Sequence, residues 1–489
     1  MRRALLLVSA ASLALSPAAV PAQYSARTLD PALVAEAAKE HADVVQEFGG
    51  AETGPRAAYV DGVGGKVAAY SGIARPGSAY HFTLLNSAVE NAFSVPGGYI
   101  YITRQLLTIM DDEAELAFAL GHEVGHVAAG HAQQREAVAR RNTINSILGA
   151  ILGSFIGGGF GNAVAKMSQR SAILQTLSFS REQEYEADTL GLKYMVAAGY
   201  DPAGGPEILS ALSRNSALEA RVQGRENRQL PEWASTHPLS ENRMQRASAQ
   251  ARQTGRLGTG IVNRDRFLSE LDGVFVDDDP AQGVIDGRSF THPDLRIQFT
   301  VPVGYLMQNG TTAVSISGSA GKAQFGGGRY TGSLDSYIAA VMQDLAGDRR
   351  LAIPQPQHTV INDIPAAYTV SRAETESGIV DVAVVAYQWA PGTVYHFILL
   401  TSGGSGFGPF GPMVNSIRKI SVAEAAAIRP RVIDVVTVAP GDTIQSLAAR
   451  MAYRNFKLDR FLTLNGLNPG AKLAPGQKVK LIVYGVRRS

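Results

Sequence analysis

Residues 111–130, Asp-Asp-Glu-Ala-Glu-Leu-Ala-Phe-Ala-Leu-Gly-His-Glu-Val-Gly-His-Val-Ala-Ala-Gly, constrain this chain more than any other stretch. Acidic residues at 111–113 predict a helix start and Gly130 its end. At about 100° per residue, His122 and His126 lie about 40° apart and Glu123 about 60° further round, so all three point into one sector. Two neutral imidazoles one turn apart can fill two corners of a tetrahedral Zn2+ site, and the ion lowers the pKa of a bound water toward about 7. Glu123 stands where a carboxylate could take that water's proton. Leu116, Leu120, Val124 and Val127 form a separate apolar stripe, which would anchor the helix in a core and leave the histidines facing a cleft. Three fixed positions in five also arise by chance, so the metal reading requires a third ligand.

At 489 residues the chain exceeds one ordinary domain, and two to four are expected. Its formal charge of +2 is close to balance and argues against nucleic acid as a partner. The chain has no cysteine, which excludes disulfides and thiolate metal sites and leaves His, Asp and Glu as the strong ligands. Met1-Arg2-Arg3, the apolar run from Ala4 to Leu15 and the small-residue site Val20-Pro21-Ala22 read as a secretory signal peptide over residues 1–22. The run is shorter than the roughly 18 residues of a spanning anchor. An exported, periplasmic bacterial protein is therefore expected.

Asp30-Pro31 predicts the cap and first turn of a helix running to about Phe48, ended by Gly49-Gly50, and a second helix is expected over 56–71. His81–Asn86 reads as a strand, and 90–103 as a hairpin turning at Pro96-Gly97-Gly98. A strand just ahead of a metal helix can hold a peptide substrate as an added strand, which makes Asn91, Ala92 and Phe93 candidates for backbone pairing. An ordinary sheet edge explains the same pattern equally well. Residues 142–165 carry no charge and six glycines. A membrane crossing there would separate two halves of one metal site, so an apolar flap over the cleft is expected, with dipping into a membrane surface as the alternative.

Residues 180–195 are strongly helical, with Glu184 and Asp188 one turn apart. Glu184 can complete a two-histidine, one-carboxylate site and leave a fourth position for water. Asp188 can accept the outer N–H of a ligating histidine and fix its tautomer. A solvated acidic face is the alternative, and spacing alone does not separate Glu184 from Glu182. A metzincin-type third histidine is excluded, because Ala129 and Ala132 occupy the positions that pattern requires. His131, nine residues from His122 and about 180° round a continuous helix, reads as an ordinary terminal histidine.

The order of Asn91-Ala92-Phe93 with Pro96-Gly97-Gly98, His122-Glu123 with His126, Ser180-Arg181 with Glu184, Asp188 and Gly191, and Thr236-His237-Pro238 with Arg243 resembles the CaaX-prenyl-protease-like family of zinc metallopeptidases. The resemblance covers about residues 30 to 250 and is strongest to the soluble, exported branch, the periplasmic proteases that attend outer-membrane protein assembly. It implies a mainly helical gluzincin domain with a small sheet, one Zn2+ on His122, His126 and Glu184, and Glu123 as general base. It also gives His237 one of two roles: stabilising the tetrahedral oxyanion, or filling the fourth zinc position and holding the enzyme latent. Arg243 would orient either group. A helix-entry His-Pro with an Arg satisfying a carboxylate is the plainer alternative.

The peptidase domain is expected over 23–260, with the Gly-rich end of that range as a linker. Residues 271–422 then alternate as strands (295–301, 313–317, 366–371, 380–387 and 393–400) around a helix at 334–345, an α+β domain without a catalytic cluster. Its His292 and His396 read as structural. Residues 431–486 run strand, helix, helix, strand and resemble a LysM module, which binds N-acetylglucosamine-containing glycans such as peptidoglycan; the insertion around 452–457 departs from that pattern. The fold class expected is thus α+β multidomain. The function expected is an exported zinc endopeptidase acting on unfolded or misassembled envelope proteins, tethered to the wall by its tail and in reach of outer-membrane assembly machinery. An envelope chaperone or scaffold with a latent or structural zinc site is the alternative from another class, and an amidase acting on the wall is a third.

Overall fold

The computed structural model describes residues 27–134, 179–222, 237, 241–346, 353–375 and 378–485. The expected signal peptide and the apolar stretch 142–165 lie outside them, as do Thr236 and Pro238. Among the described residues no helix is long and apolar enough to cross a membrane.

Helix α1 (Pro31–Glu47) is capped by the Asp30 carboxylate, which accepts from Ala32 N–H, and Gly49 and Gly50 end it at positive φ. Helix α2 (Pro55–Ala68) follows. Strands β1 (His81–Leu85), β2 (Ala92–Val95) and β3 (Tyr99–Thr103) make a small sheet of order β1-β3-β2, with β1 parallel and β2 antiparallel to β3. A short helix α3 (Arg104–Ile109) leads to α4 (Glu113–Ala129), the predicted metal helix. Asp112 caps α4 by accepting from Ala114 and Glu115 N–H, and Gly130 closes it in the left-handed region at φ 69°. Helices α5 (Arg181–Ala197), α6 (Gly204–Val222) and α8 (Arg264–Leu271) pack against it, and α7 (Glu241–Gln253) packs on α5 and α6.

Small residues set the distance between α4 and α5. A Cβ built on Gly121 or Gly125 would stand 3.1 Å from the backbone oxygen of Gly191 or Ala187. The two helix backbones therefore nearly touch, and the Glu184/Asp188 face of α5 is brought against the histidine face of α4. The expected stripe of Leu116, Leu120, Val124 and Val127 is buried on the other side of α4.

After α8 the chain forms β4 (Phe275–Val276). An α+β region follows: β5 (Val284–Asp286), β6 (Ser289–His292), β7 (Ile297–Thr300), β8 (Leu306–Asn309), β9 (Ala313–Gly318), β10 (Gly321–Arg329), helix α9 (Leu334–Ala346), β11 (Gln357–Ile361), β12 (Ile364–Thr375), β13 (Gly378–Ala390), β14 (Thr393–Ser402) and β15 (Arg418–Lys419). Seven strands form one antiparallel sheet of order β11-β12-β13-β14-β10-β9-β8, and β15-β7-β6-β5 form a second. The C-terminal module is β16 (Arg431–Thr437), α10 (Ile444–Ala449), α11 (Lys457–Leu464) and β17 (Lys478–Tyr484), the βααβ order expected.

The junction differs from a tether. Strand β4 pairs with β16, so the terminal sheet has the order β17-β16-β4. The chain thus enters that sheet at 275–276, leaves to build the α+β region and returns at 431. Phe461, Leu464, Val479 and Leu481 share one buried cluster with Leu116, Leu120, Leu209 and Phe267 of the helical region. At roughly 1.5–3 kcal/mol per fully buried large side chain, such a shared core makes the module an integral layer. Lys480, fully buried, donates its Nζ to the carbonyls of Thr108 and Met110 at the C-terminal end of α3, with Asp111 Oδ1 3.4 Å away. Burial alone would lower its pKa steeply, and Asp111 and Glu115 oppose that.

Candidate metal centre

His122, Glu123 and His126 project from the C-terminal half of α4, and all three are buried. His122 Nε2 and His126 Nε2 lie 3.0 Å apart. Glu184, one turn into α5, brings Oε1 to 3.5 Å from His126 Nε2 and Oε2 to 3.5 Å from His122 Nε2, whereas Glu182 is exposed. His237 joins them, with Nδ1 3.2 Å from His122 Nε2 and 2.9 Å from Glu184 Oε1. One donor atom from each of these four residues lies within 4.8 Å of every other.

The donor set fits zinc. Ligand bonds of about 2.0–2.1 Å place neighbouring tetrahedral corners about 3.3 Å apart; the closest donor contacts, from His237–Glu184 at 2.9 Å to His122–Glu184 at 3.5 Å, match that spacing, and all four donors fall within 4.8 Å. His122, His126 and Glu184 would hold the ion, and His237 lies close enough to offer a fourth donor.

A polar layer behind the donors aims them. His122 Nδ1 lies 2.9 Å from Asp188 Oδ1. Arg243, 1% exposed, donates Nε and Nη2 to Asp188 at 2.8 and 2.7 Å and extends Nη1 to Glu184 Oε2 at 2.8 Å. The guanidinium fork therefore spans a candidate ligand and the carboxylate behind another. Burial alone would raise the Glu184 pKa; His237, His122 and His126 outweigh it and hold the carboxyl well below its usual range. Burial opposes Asp188 in the same way and Arg243 overrides it. His122 is pushed down by burial and up by Asp188 and Glu184, ending at about 9, whereas burial dominates at His126 and holds it well below its ordinary value.

Glu123 meets a different set of partners from Glu184. Its Oε2 accepts from Ser94 Oγ at 2.9 Å, and its Oε1 lies 3.4 Å from His237 Nε2. Asn91, Ala92 and Phe93 sit on the edge strand beside it with exposures of 0, 1 and 1%. That edge is covered in this conformation. A small, mostly apolar pocket lies next to His122 and Glu123, lined by Ala92, Leu106, Phe118, Ile208 and Leu212.

The structure also brings in residues the sequence did not single out. Ser94 follows Ala92 by two positions and shares its face of β2, a signal that strand alternation carries. Phe179 stacks on the His126 ring at 3.9 Å. His131 is not an ordinary terminal histidine: it is fully buried, with Nδ1 2.9 Å from His126 Nδ1. The helical-wheel angle failed because Gly130 breaks α4 in the left-handed region, turning His131 back toward the site.

Two stretches of the chain match known protein families. Residues 55–251 match Peptidase family M48, and residues 436–481 match the LysM domain. The beta-barrel assembly-enhancing protease of Yersinia pestis is 30% identical over 198 residues, covering 40% of this chain and 39% of that protein. The mitochondrial metalloendopeptidase OMA1 of Arabidopsis thaliana is 31% identical over 167 residues (34% of this chain, 30% of that protein), and the human OMA1 metalloendopeptidase 25% over 173 residues (33% and 30%). The chain thus spans well under half the length of these relatives. It carries a peptidase family M48 domain at residues 55–251 and a LysM domain at residues 436–481, with a sheet-rich region between them.

Proposed function

We propose that this chain is a zinc-dependent metalloendopeptidase that cleaves unfolded or misassembled envelope proteins in the periplasm. One observation carries the reading: a buried carboxylate, Glu123, stands beside a buried three-histidine, one-carboxylate cluster without belonging to it. A purely structural ion has no need of that group. Zinc held by His122, His126 and Glu184 would supply Lewis-acid activation of water and of the scissile carbonyl. Glu123 takes the proton of the attacking water on Oε1 and returns it to the leaving amine, while Ser94 fixes the other oxygen. Strand β2, through the backbone of Asn91, Ala92 and Phe93, aligns the peptide as an added strand. In the conformation described, β2 is covered and His237 would occupy the fourth zinc position, holding the enzyme latent until substrate displaces it.

The names of the bacterial relatives support an assembly-related substrate, and the LysM domain supports peptidoglycan as the anchoring partner, with outer-membrane assembly machinery as the setting. The signal-like residues 1–22 support export. The closed four-donor set also favours a second reading, a chaperone or scaffold whose zinc site is structural. The deciding experiment is cleavage of an unfolded outer-membrane protein by the chain from Gln23 onward, beside Glu123→Gln and His237→Ala variants of equal zinc content. Cleavage by the parent, its loss in Glu123→Gln and a gain in His237→Ala support the latent peptidase. Zinc retention without cleavage by the parent and by His237→Ala would move the assignment to the scaffold.

A further inference from the structure

We propose that His131 is a positioning residue for the metal centre: its Nδ1 accepts the outer proton of His126 and fixes the tautomer in which His126 offers Nε2 to the ion. The inference rests on the metal-centre reading above and extends it to a residue outside the ligand set.

The proton arithmetic of three groups carries it. His126 Nε2 faces the other donors, 3.0 Å from His122 Nε2 and 3.5 Å from Glu184 Oε1. A neutral imidazole that ligates through Nε2 must keep its proton on Nδ1. That nitrogen lies 2.9 Å from His131 Nδ1, and two nitrogens at this distance hold one proton between them. His131 must therefore present a lone pair at Nδ1 and carry its own proton on Nε2. His131 Nε2 lies 3.3 Å from Glu186 Oε2, an acceptor, so the chain ends consistently.

The two histidines of α4 are thus held in different ways. Behind His122 stands Asp188, clamped by Arg243 and buried. Behind His126 stands a neutral imidazole whose partner carboxylate is 58% exposed. Outer partners of ligating histidines set ring orientation and basicity, and their loss typically weakens metal binding 10–100-fold. The local fold serves the contact: Gly130, at φ 69°, folds the chain back so that His131 meets the outer edge of His126, and Phe179 stacks on the His126 ring.

The test compares two polar substitutions on the full chain from Gln23. Asn at 131 places an acceptor oxygen where Nδ1 stands; Gln places its amide where Nε2 stands. Zinc affinity is measured by competition with a chromophoric chelator, beside the melting temperature of the zinc-free protein. His131→Asn is expected to bind zinc within about 3-fold of the parent and His131→Gln to bind roughly 10–100-fold more weakly. A residue that only fills space would give the opposite order, since Gln is nearer to His in volume, and its effect would show in the zinc-free melt. Parent-like affinity in His131→Gln, or equal weakening in both variants, overturns the assignment while leaving the metal centre standing. A parent that binds no zinc overturns the metal centre and this inference with it.

Discussion

Gly191 on α5 lies so close to His122 on α4 that a Cβ built on it would stand 2.8 Å from the His122 backbone nitrogen. The obstacle is backbone, which cannot rotate aside as a side chain would. Gly191→Ala is therefore expected to push the helices apart, costing about 1–3 kcal/mol and moving Glu184 and Asp188 away from the histidines. Urea unfolding measures the first effect and zinc affinity the second. Parent-like values of both would show that the contact tolerates a methyl group.

Arg243 neutralises two buried carboxylates at once. Its replacement by Met strips Glu184 and Asp188 of the guanidinium and leaves them only the neighbouring histidines, a loss of about 3–5 kcal/mol in the zinc-free protein. Bound zinc supplies positive charge at the same place, so the stability gained on adding zinc should be larger in Arg243→Met than in the parent, provided affinity is saturated. Arg243→Lys keeps the charge but cannot span both carboxylates, and should recover less than half of the loss. Denaturation with and without zinc reads all three.

The LysM domain shares its core with the peptidase helices, and this predicts joint unfolding. Phe461 is fully buried in that common cluster. Phe461→Ala should cost about 3–5 kcal/mol and lower the denaturant midpoint for zinc release together with that for loss of LysM structure. Two separate transitions, with zinc release unmoved, would mean that the module is an independent tail.

His396 gives the α+β region an acid sensitivity. Burial depresses its pKa to about 4, and its Nδ1 meets Tyr337 OH at 2.7 Å. A folded value below the unfolded one of about 6.5 means the folded state resists the proton, so its stability contribution is complete above pH 6.5 and is lost as pH falls from 6.5 through 4. The full effect is at most about 3 kcal/mol. His396→Gln should flatten the stability profile in that window and leave the slope above pH 7 unchanged, as followed by near-UV circular dichroism across pH 4–8.

Much of the helical region is written in local rules. Asp30-Pro31, Asp112 and Gly130 mark helix ends that the structure reproduces, and the period of His122, Glu123 and His126 puts them in one sector whatever the surroundings. Strand β10 was not legible, because Gly326-Gly327-Gly328 erases the alternation that marks a strand. Gly327 lies at φ 130°, where a Cβ would stand 2.4 Å from Val394 O, so a packing demand of the neighbouring strand explains the glycine.

The sequence by itself determined the two-histidine helix, its neighbouring carboxylate and the βααβ order of the tail, since each depends on residues within one turn, one hairpin or one short run. Only the tertiary structure decided that Glu184 and not Glu182 faces the histidines, that His237 enters the cluster, that His131 turns back behind His126, and that β4 and Lys480 bind the LysM domain into the peptidase core. Apart from the His126–His131 pair, where Gly130 redirects the chain, those contacts join residues tens to hundreds of positions apart. They depend on how closely two backbones can approach and on where a buried charge finds a partner, and neither is encoded in local spacing.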